Sequence, residues 1–331
     1  MSKDKSLELK GIALIMMLWC HFYITGNQYE LYYLCNWKEF NLFRFLGGAC
    51  TPVVIFVTLS GYGLYYVFER GDKHRYSRIL KLFIHYWVIT LIFMTIAHFL
   101  SDKEKYPGNI IDIILNLTAF KTTWNRECWF LFPYSILALS YPLIFKFMRN
   151  NELLLSVISL FLFLISGFII SRFGNGGSIS NPFINNIVQI GFMFLPFMIG
   201  ALSSKYNIFT KLTNNIRSLT DKWIFLLLII LLVIIKCYIS SSVFTPIYGF
   251  LFISLYLLIY LNSKFLILRF IGEHSMNIWM IHTWLMVYIF PDYFYVFKNP
   301  ILILFFVLIA CIIVSMIINI ITNSLLTTKT R

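Results

Sequence analysis

The chain has 331 residues, of which 59% are hydrophobic and 12% charged. A water-soluble domain of this length is roughly a quarter charged, so most of its helices have no water-facing side. The net charge of +13 does not mark a nucleic-acid binder, because the Lys and Arg residues fall between apolar runs, where the positive-inside rule places them in membrane proteins.

Apolar stretches long enough to cross a bilayer recur along the chain. They predict ten transmembrane helices, at 8–26, 48–69, 80–100, 128–148, 153–172, 186–204, 222–241, 243–262, 270–290 and 300–323. An even number puts both termini on one side, and 18 of the 27 Lys and Arg residues fall on that side. The asymmetry predicts cytoplasmic termini, in a multi-pass protein of the cell membrane. Two long segments lie on the other side, about 27–47 and 101–127, and the second contains an amphipathic stretch, Ile110 to Phe120. The first apolar run is followed by no small-residue cleavage site and reads as a retained helix. With no low-complexity linker and no internal repeat, residues 1–331 read as one all-α, polytopic membrane domain.

The six cysteines, Cys20, Cys35, Cys50, Cys128, Cys237 and Cys311, show no CxxC pair and no metal-ligand spacing. No metal site is expected. Cys35 and Cys128 both fall on the outer side, but their sequence context assigns no disulfide. The glycine-rich stretch from Gly174 to Gly177 follows no strand and lacks a GxxxxGK pattern, so it reads as a turn rather than a phosphate cradle.

The ionisable residues placed inside helices carry the chemical information, because such groups are costly in a bilayer and usually face a cavity or the bundle interior. Lys10 and His21 share a face of the first helix, separated by ~16 Å at ~1.5 Å per residue. His21 therefore sits in the middle or outer half of the bilayer and Lys10 at the cytoplasmic mouth. An imidazole there has the proton affinity of a general base, and equally suits a structural hydrogen bond between helices. His282 lies at a similar depth in the ninth helix, with Ser275 on nearly the same face. Arg75, Arg78 and Lys81 form a basic stripe at the start of the third helix, a spacing that suits phosphates and also ordinary membrane anchoring. His85 and His98 read as packing or interfacial residues near the two ends of that helix. Asp112, Glu127 and Glu273 fall at predicted interfaces, and no carboxylate lies deep in a predicted helix.

Four segments then fall in a familiar order. Lys10 to His21 resembles an Arg/Lys–ten residues–His signature. Phe56-Val57-Thr58-Leu59-Ser60-Gly61-Tyr62 resembles an F-x-x-x-S-G-aromatic helix. Arg75-Tyr76-Ser77-Arg78, with Tyr86-Trp87 beyond it, resembles an Arg-x-x-Arg motif. Gly272 to Ser275, running on to Ile281-His282, resembles a G-x-x-S-x-x-I-Y-x-x-H helix, and Trp129-Phe130-Leu131 has the style of a W-F-L helix. Together these resemble the acyltransferase family 3 membrane proteins, which O-acylate surface polysaccharides and other acceptors. The chain departs from that pattern at Lys10, where Arg is commoner, and at Trp279, where Tyr is usual; Arg78–Lys81 fits the basic motif as well as Arg75–Arg78 does.

The resemblance implies an O-acyltransferase, specifically an O-acetyltransferase, with acetyl-CoA or another acyl-CoA as cytoplasmic co-substrate, no bound cofactor, and a glycan or lipid-linked precursor as acceptor. It implies that Lys10, Arg75 and Arg78 attract the CoA phosphates. His21 would deprotonate the acceptor hydroxyl or carry the acyl group briefly, with His282 a second catalytic residue. Ser60, Trp129 and Ser275 would contact substrate. A transporter or flippase for a glycan or lipid intermediate is the alternative. The absence of midplane carboxylates and of a transporter-type repeat argues against it. An Ile-, Asn- and Lys-rich composition fits a bacterial cell membrane.

Overall fold

The computed structural model describes residues 1–25, 36–37, 40–71, 74–101, 104–174, 178–216, 222–239, 241–260 and 264–327. The fold is a helical bundle: α1 (Lys3–Thr25), α2 (Leu42–Gly47), α3 (Pro52–Glu69), α4 (Arg75–Leu100), α5 (Ile110–Leu117), α6 (Leu131–Asn150), α7 (Glu152–Phe173), α8 (Pro182–Lys205), α9 (Ile208–Ile216), α10 (Lys222–Tyr238), α11 (Thr245–Tyr260), α12 (Leu266–Thr283), α13 (Pro291–Tyr295) and α14 (Pro300–Thr327). A 3₁₀ turn at Arg126–Phe130 leads into α6, another at Ser242–Phe244 into α11, and α12 continues as a π-helical turn over Trp284–Ile289. The strand content among the described residues is one pair of two-residue strands, Asn36–Trp37 against Phe40–Asn41.

Among the described residues, seven helical stretches are long and apolar enough to cross a membrane: Leu42–Glu69, Arg75–Leu100, Arg126–Asn150, Glu152–Phe173, Pro182–Lys205, Ser242–Tyr260 and Pro300–Leu326. The remaining three of the ten expected positions are also helical, but length and hydropathy alone do not make them spans. Helix α1 carries Lys3, Asp4, Lys5, Glu8 and Lys10 in its opening turns, α10 has 17 residues, and α12 contains Arg269 and Glu273. The outward faces are apolar: Leu153, Phe161 and Phe168 on α7, Leu227 on α10 and Ile320 on α14 are each exposed. Such surface is stable against hydrocarbon, not water. Cys35 and Asn175–Gly177 lie outside the described residues; Cys128 is a buried free thiol.

Ion pairs tie the charged end of the bundle together. Arg269 reaches Asp4, Arg149 reaches Glu69, and Lys205 pairs with Glu152. These contacts set the start of α1, the end of α3, the α6–α7 junction, the end of α8 and the start of α12 on one face. Helices α1 and α12 run side by side because glycine removes the side chain at two crossing points. A Cβ on Gly272 would lie 2.0 Å from the carbonyl oxygen of Leu7, and one on Gly11 would lie 2.2 Å from that of Leu268. Gly61 and Gly200 do the same between α3 and α8, against the carbonyls of Phe197 and Thr58. Small residues at helix crossings are the usual route to tight contact in lipid, where no hydrophobic force drives helices together.

Helix α4 begins at Arg75, five residues before the expected start at 80. This shift corrects the reading of His85: it lies well inside α4, 2% exposed, and not near an end. Its Nδ1 is 2.8 Å from Oδ1 of Asn277, and the Asn277 amide donates to the Ser315 hydroxyl and to Oδ1 of Asn319. His274 joins the same network through Ser315, 2.8 Å away.

A candidate active site between α1, α6 and α12

The close crossing of α1 and α12 brings the two expected histidines together. The rings of His21 and His282 meet edge to face at 80°, with 5.0 Å between their centres. By helical rise, His21 is ~27 Å along α1 from Lys3, and His282 ~24 Å along α12 from Leu266. Both therefore sit toward the end of the bundle opposite the ion pairs.

The third member of the cluster is Glu127, on the 3₁₀ turn ahead of α6. Its Oε2 lies 3.4 Å from Nε2 of His21. The sequence puts Glu127 at a predicted interface and does not show its partner, because the contacts that hold its turn against His21 are non-local. Asn125 anchors that turn. Its amide donates to the carbonyl of Met280, while its Oδ1 accepts from the Thr283 hydroxyl and from the Glu127 backbone N–H. Trp279 adds a bond from its indole N–H to the Glu127 carbonyl, 3.0 Å. Helix α12 thus supplies both His282 and the contacts that hold Glu127 in place.

The tautomer of His282 follows from its partners. Its Nδ1 lies 2.8 Å from the carbonyl of Trp279 and 3.2 Å from that of Ile278. Carbonyls only accept, so Nδ1 carries the proton, and neutral Nε2 holds a lone pair. That Nε2 is buried and has no hydrogen-bond partner among the described residues. A fixed lone pair beside His21 suits acid–base work more than scaffolding.

The other expected site residues separate into distinct places. Ser60 on α3 is 3.0 Å from the Tyr134 hydroxyl on α6, and Arg78 lies within electrostatic reach of that tyrosine. Arg78, Tyr134 and Ser60 therefore form an inward polar group between the charged end and the histidines. Arg75 turns outward and donates to its neighbour Tyr76 at 2.7 Å. Lys10 is partly buried and makes no hydrogen bond or ion pair among the described residues. The Ser275 hydroxyl bonds back to the Gly272 carbonyl, 2.7 Å. Trp129, two residues after Glu127 on the same turn, lines a cavity whose wall includes neither histidine. Among the described residues no group of three or more His, Cys, Asp or Glu could hold a metal ion.

One further carboxylate is buried, near the charged end of the bundle. Glu8 is 1% exposed inside α1, where it accepts from Lys5, from the Tyr256 hydroxyl at 2.7 Å and from the Phe265 backbone N–H at 3.3 Å. Its partners come from α11 and the α11–α12 connection, so no local pattern announces its burial.

No curated protein and no solved structure matches the chain. Residues 5–320, nearly the whole chain and every residue of the site just described, match the acyltransferase domain of family 3. The match covers far more than half of the chain, and the protein, with seven helices among the described residues long and apolar enough to cross a membrane, is a member of this acyltransferase family.

Proposed function

We propose that the protein is an O-acetyltransferase that moves an acetyl group from acetyl-CoA to a hydroxyl of a cell-surface glycan or its lipid-linked precursor. The observation that carries this reading is the Glu127 carboxylate 3.4 Å from the His21 imidazole, with His282 at its edge. His21 removes the proton of the acceptor hydroxyl as its oxygen attacks the thioester carbonyl. The negative charge of Glu127 stabilises the imidazolium so formed. As the carbon–sulfur bond breaks, His21 returns the proton to the departing CoA sulfur. The products are an O-ester and free CoA, and the proton balance closes without a metal.

The donor enters at the charged end, taken as cytoplasmic. Lys10 and Arg78 supply cations for the CoA phosphates, Lys10 with its ammonium unengaged and Arg78 with an inward-reaching guanidinium. Arg75 acts at the rim. His282 offers its Nε2 lone pair to orient the hydroxyl or the donor. Both termini lie in the cytoplasm of a bacterial cell, and the acceptor approaches from the opposite end.

The test incubates membranes containing the protein, or its His21→Ala variant, with labelled acetyl-CoA and whole-cell glycan. Base-labile label on the glycan that disappears in the variant supports the proposal. Equal labelling in both membranes removes His21 from the chemistry, and substrate movement into vesicles without acyl-CoA would favour a transporter.

A further inference from the structure

Helix α12 does not continue past His282 as a plain α-helix. Over Trp284–Ile289 it widens into a π turn, in which the Phe290 N–H donates to the Leu285 carbonyl, five residues back, at 3.1 Å. Such turns are rare, come mostly singly and recur at functional sites. This one starts two residues after the histidine that packs on His21.

The spacing of three side chains shows what the π turn does. Trp279, Thr283 and Tyr288 take hold of three successive residues of the turn before α6. The Thr283 hydroxyl donates to Oδ1 of Asn125 at 2.8 Å, and the Trp279 indole N–H donates to the carbonyl of Glu127 at 3.0 Å. Between them, the Tyr288 hydroxyl accepts the backbone N–H of Arg126 at 3.2 Å. Arg126 opens the 3₁₀ turn, where a backbone N–H lacks a helical acceptor and must find one elsewhere. From Trp279 to Thr283 is four residues, a step that stays on one face of an α-helix. From Thr283 to Tyr288 is five. Five α-helical residues rotate through about 500° and would carry Tyr288 well off that face. A turn bonded i→i+5 holds more residues and brings Tyr288 back toward it.

The Tyr288 ring is itself held in place. The Trp284 ring meets it edge to face at 5.7 Å, and Nζ of Lys105 stands 4.9 Å from its centre. Of the three bonds, two go to main chain and one to Asn125, so none draws on the Glu127 carboxylate. Its Oε2 faces Nε2 of His21 at 3.4 Å, with the backbone that carries it fastened from α12.

We infer that Trp279, Thr283 and Tyr288 form a positioning clamp for Glu127, kept in register by the π turn, which sets the rate of acyl transfer and not the affinity for the donor. The inference rests on the O-acetyltransferase reading, in which Glu127 stabilises the His21 imidazolium, and adds to it the residues that keep the carboxylate in place.

Tyr288→Phe tests the clamp, because the ring stays and only the acceptor for the Arg126 N–H is lost. Purified wild type, Tyr288→Phe, Glu127→Gln and the double variant are compared for acetyl-CoA binding, acetyl transfer and amide hydrogen exchange over residues 125–127. Loss of one neutral hydrogen bond is expected to lower kcat about three- to tenfold. KM for acetyl-CoA is expected to stay within about twofold, the pattern of an interaction made only in the transition state. In the Glu127→Gln background the same substitution is expected to change kcat by less than about twofold, because no charge is left to position. Exchange over 125–127 is expected to quicken in Tyr288→Phe. A wild-type kcat in Tyr288→Phe overturns the clamp. An equal loss in both backgrounds also overturns it, since the bond would then be structural only. A raised KM with unchanged kcat overturns it as well, assigning Tyr288 to the donor. Wild type that binds acetyl-CoA but transfers nothing counts against the O-acetyltransferase reading, and unchanged exchange over 125–127 overturns the clamp whether or not transfer is seen. Trp279→Phe, which removes the bond to the Glu127 carbonyl, is the second variant and is expected to repeat both the loss of kcat and its dependence on Glu127.

Discussion

The Glu127 carboxylate stands 3.4 Å from Nε2 of His21, although one is on a turn before α6 and the other near the end of α1. The bridge between them is α12, whose Met280, Thr283 and Trp279 contacts hold the Asn125–Glu127 turn while His282 packs against His21. Three parts of the chain thus converge on one cluster of His21, His282 and Glu127.

Replacing Glu127 with Gln keeps the shape but removes the charge that favours the imidazolium. General acid–base groups of this kind contribute about 10²–10⁴ in rate. Glu127→Gln is expected to lower kcat roughly a hundredfold with little change in KM for acetyl-CoA. His21→Ala should abolish transfer while the protein still inserts and runs as a single peak in size-exclusion chromatography. Steady-state kinetics on the two variants checks both; a Gln variant with normal kcat would remove Glu127 from the mechanism.

Arg78 and Arg75 sit one turn apart on α4 but face different surroundings, the first inward near Tyr134 and the second against Tyr76. One charge-assisted hydrogen bond amounts to about 1.5–3 kcal/mol, and about 1.4 kcal/mol is tenfold in affinity. Arg78→Ala is expected to raise KM for acetyl-CoA by roughly tenfold or more, and Arg75→Ala by clearly less. Equal effects would return both residues to a simple basic rim.

At the α1–α12 crossing, Gly272 leaves no room for any larger residue, with the Leu7 backbone 2.0 Å from its Cβ position. Gly272→Leu must push the two helices apart. Since His21 and His282 ride on them, the variant is expected to lose transfer severely and to melt at lower temperature. Light-scattering or fluorescence melting of the purified protein, run beside the activity assay, reads both effects.

Glu8 and Lys5 form a buried pair whose carboxylate also holds Tyr256 and the Phe265 backbone. Breaking one side of such a pair costs about 3–5 kcal/mol, whereas replacing both partners by apolar residues is often neutral. Glu8→Ala is therefore expected to destabilise the protein strongly, and Lys5→Met with Glu8→Leu to recover much of that loss. Melting temperatures of the three proteins decide it, since a plain surface pair would give small and additive changes.

Asn277 joins His85 to Ser315 and Asn319 between α4, α12 and α14. An unsatisfied buried polar group costs about 1–3 kcal/mol. Asn277→Leu is expected to lower the melting temperature while KM for acetyl-CoA stays within about twofold, a combination checked by melting and kinetics together.

The membrane setting was legible in the sequence because lipid demands long, uninterrupted apolar helices, a requirement written locally along the chain. Helices stand at the ten expected places, seven of them among the described residues long and apolar enough to cross a membrane, and the order of the Lys10–His21, Ser60–Gly61, Arg75–Arg78 and Ser275–His282 segments pointed to the family that residues 5–320 match. The distance of each histidine from the start of its helix was also readable, since helical rise converts residue number into distance. What the sequence left undetermined was which polar groups meet. Glu127 looked interfacial until α12 folded its turn against His21. Glu8 gives no local sign of its burial by Lys5, Tyr256 and Phe265, and His85, expected near a helix end, lies well inside α4 because that helix begins five residues early. Helix existence follows from local composition, but side-chain partnership depends on helix crossings, here set by carbonyl-to-glycine contacts at Gly11 and Gly272 that only the tertiary structure fixes.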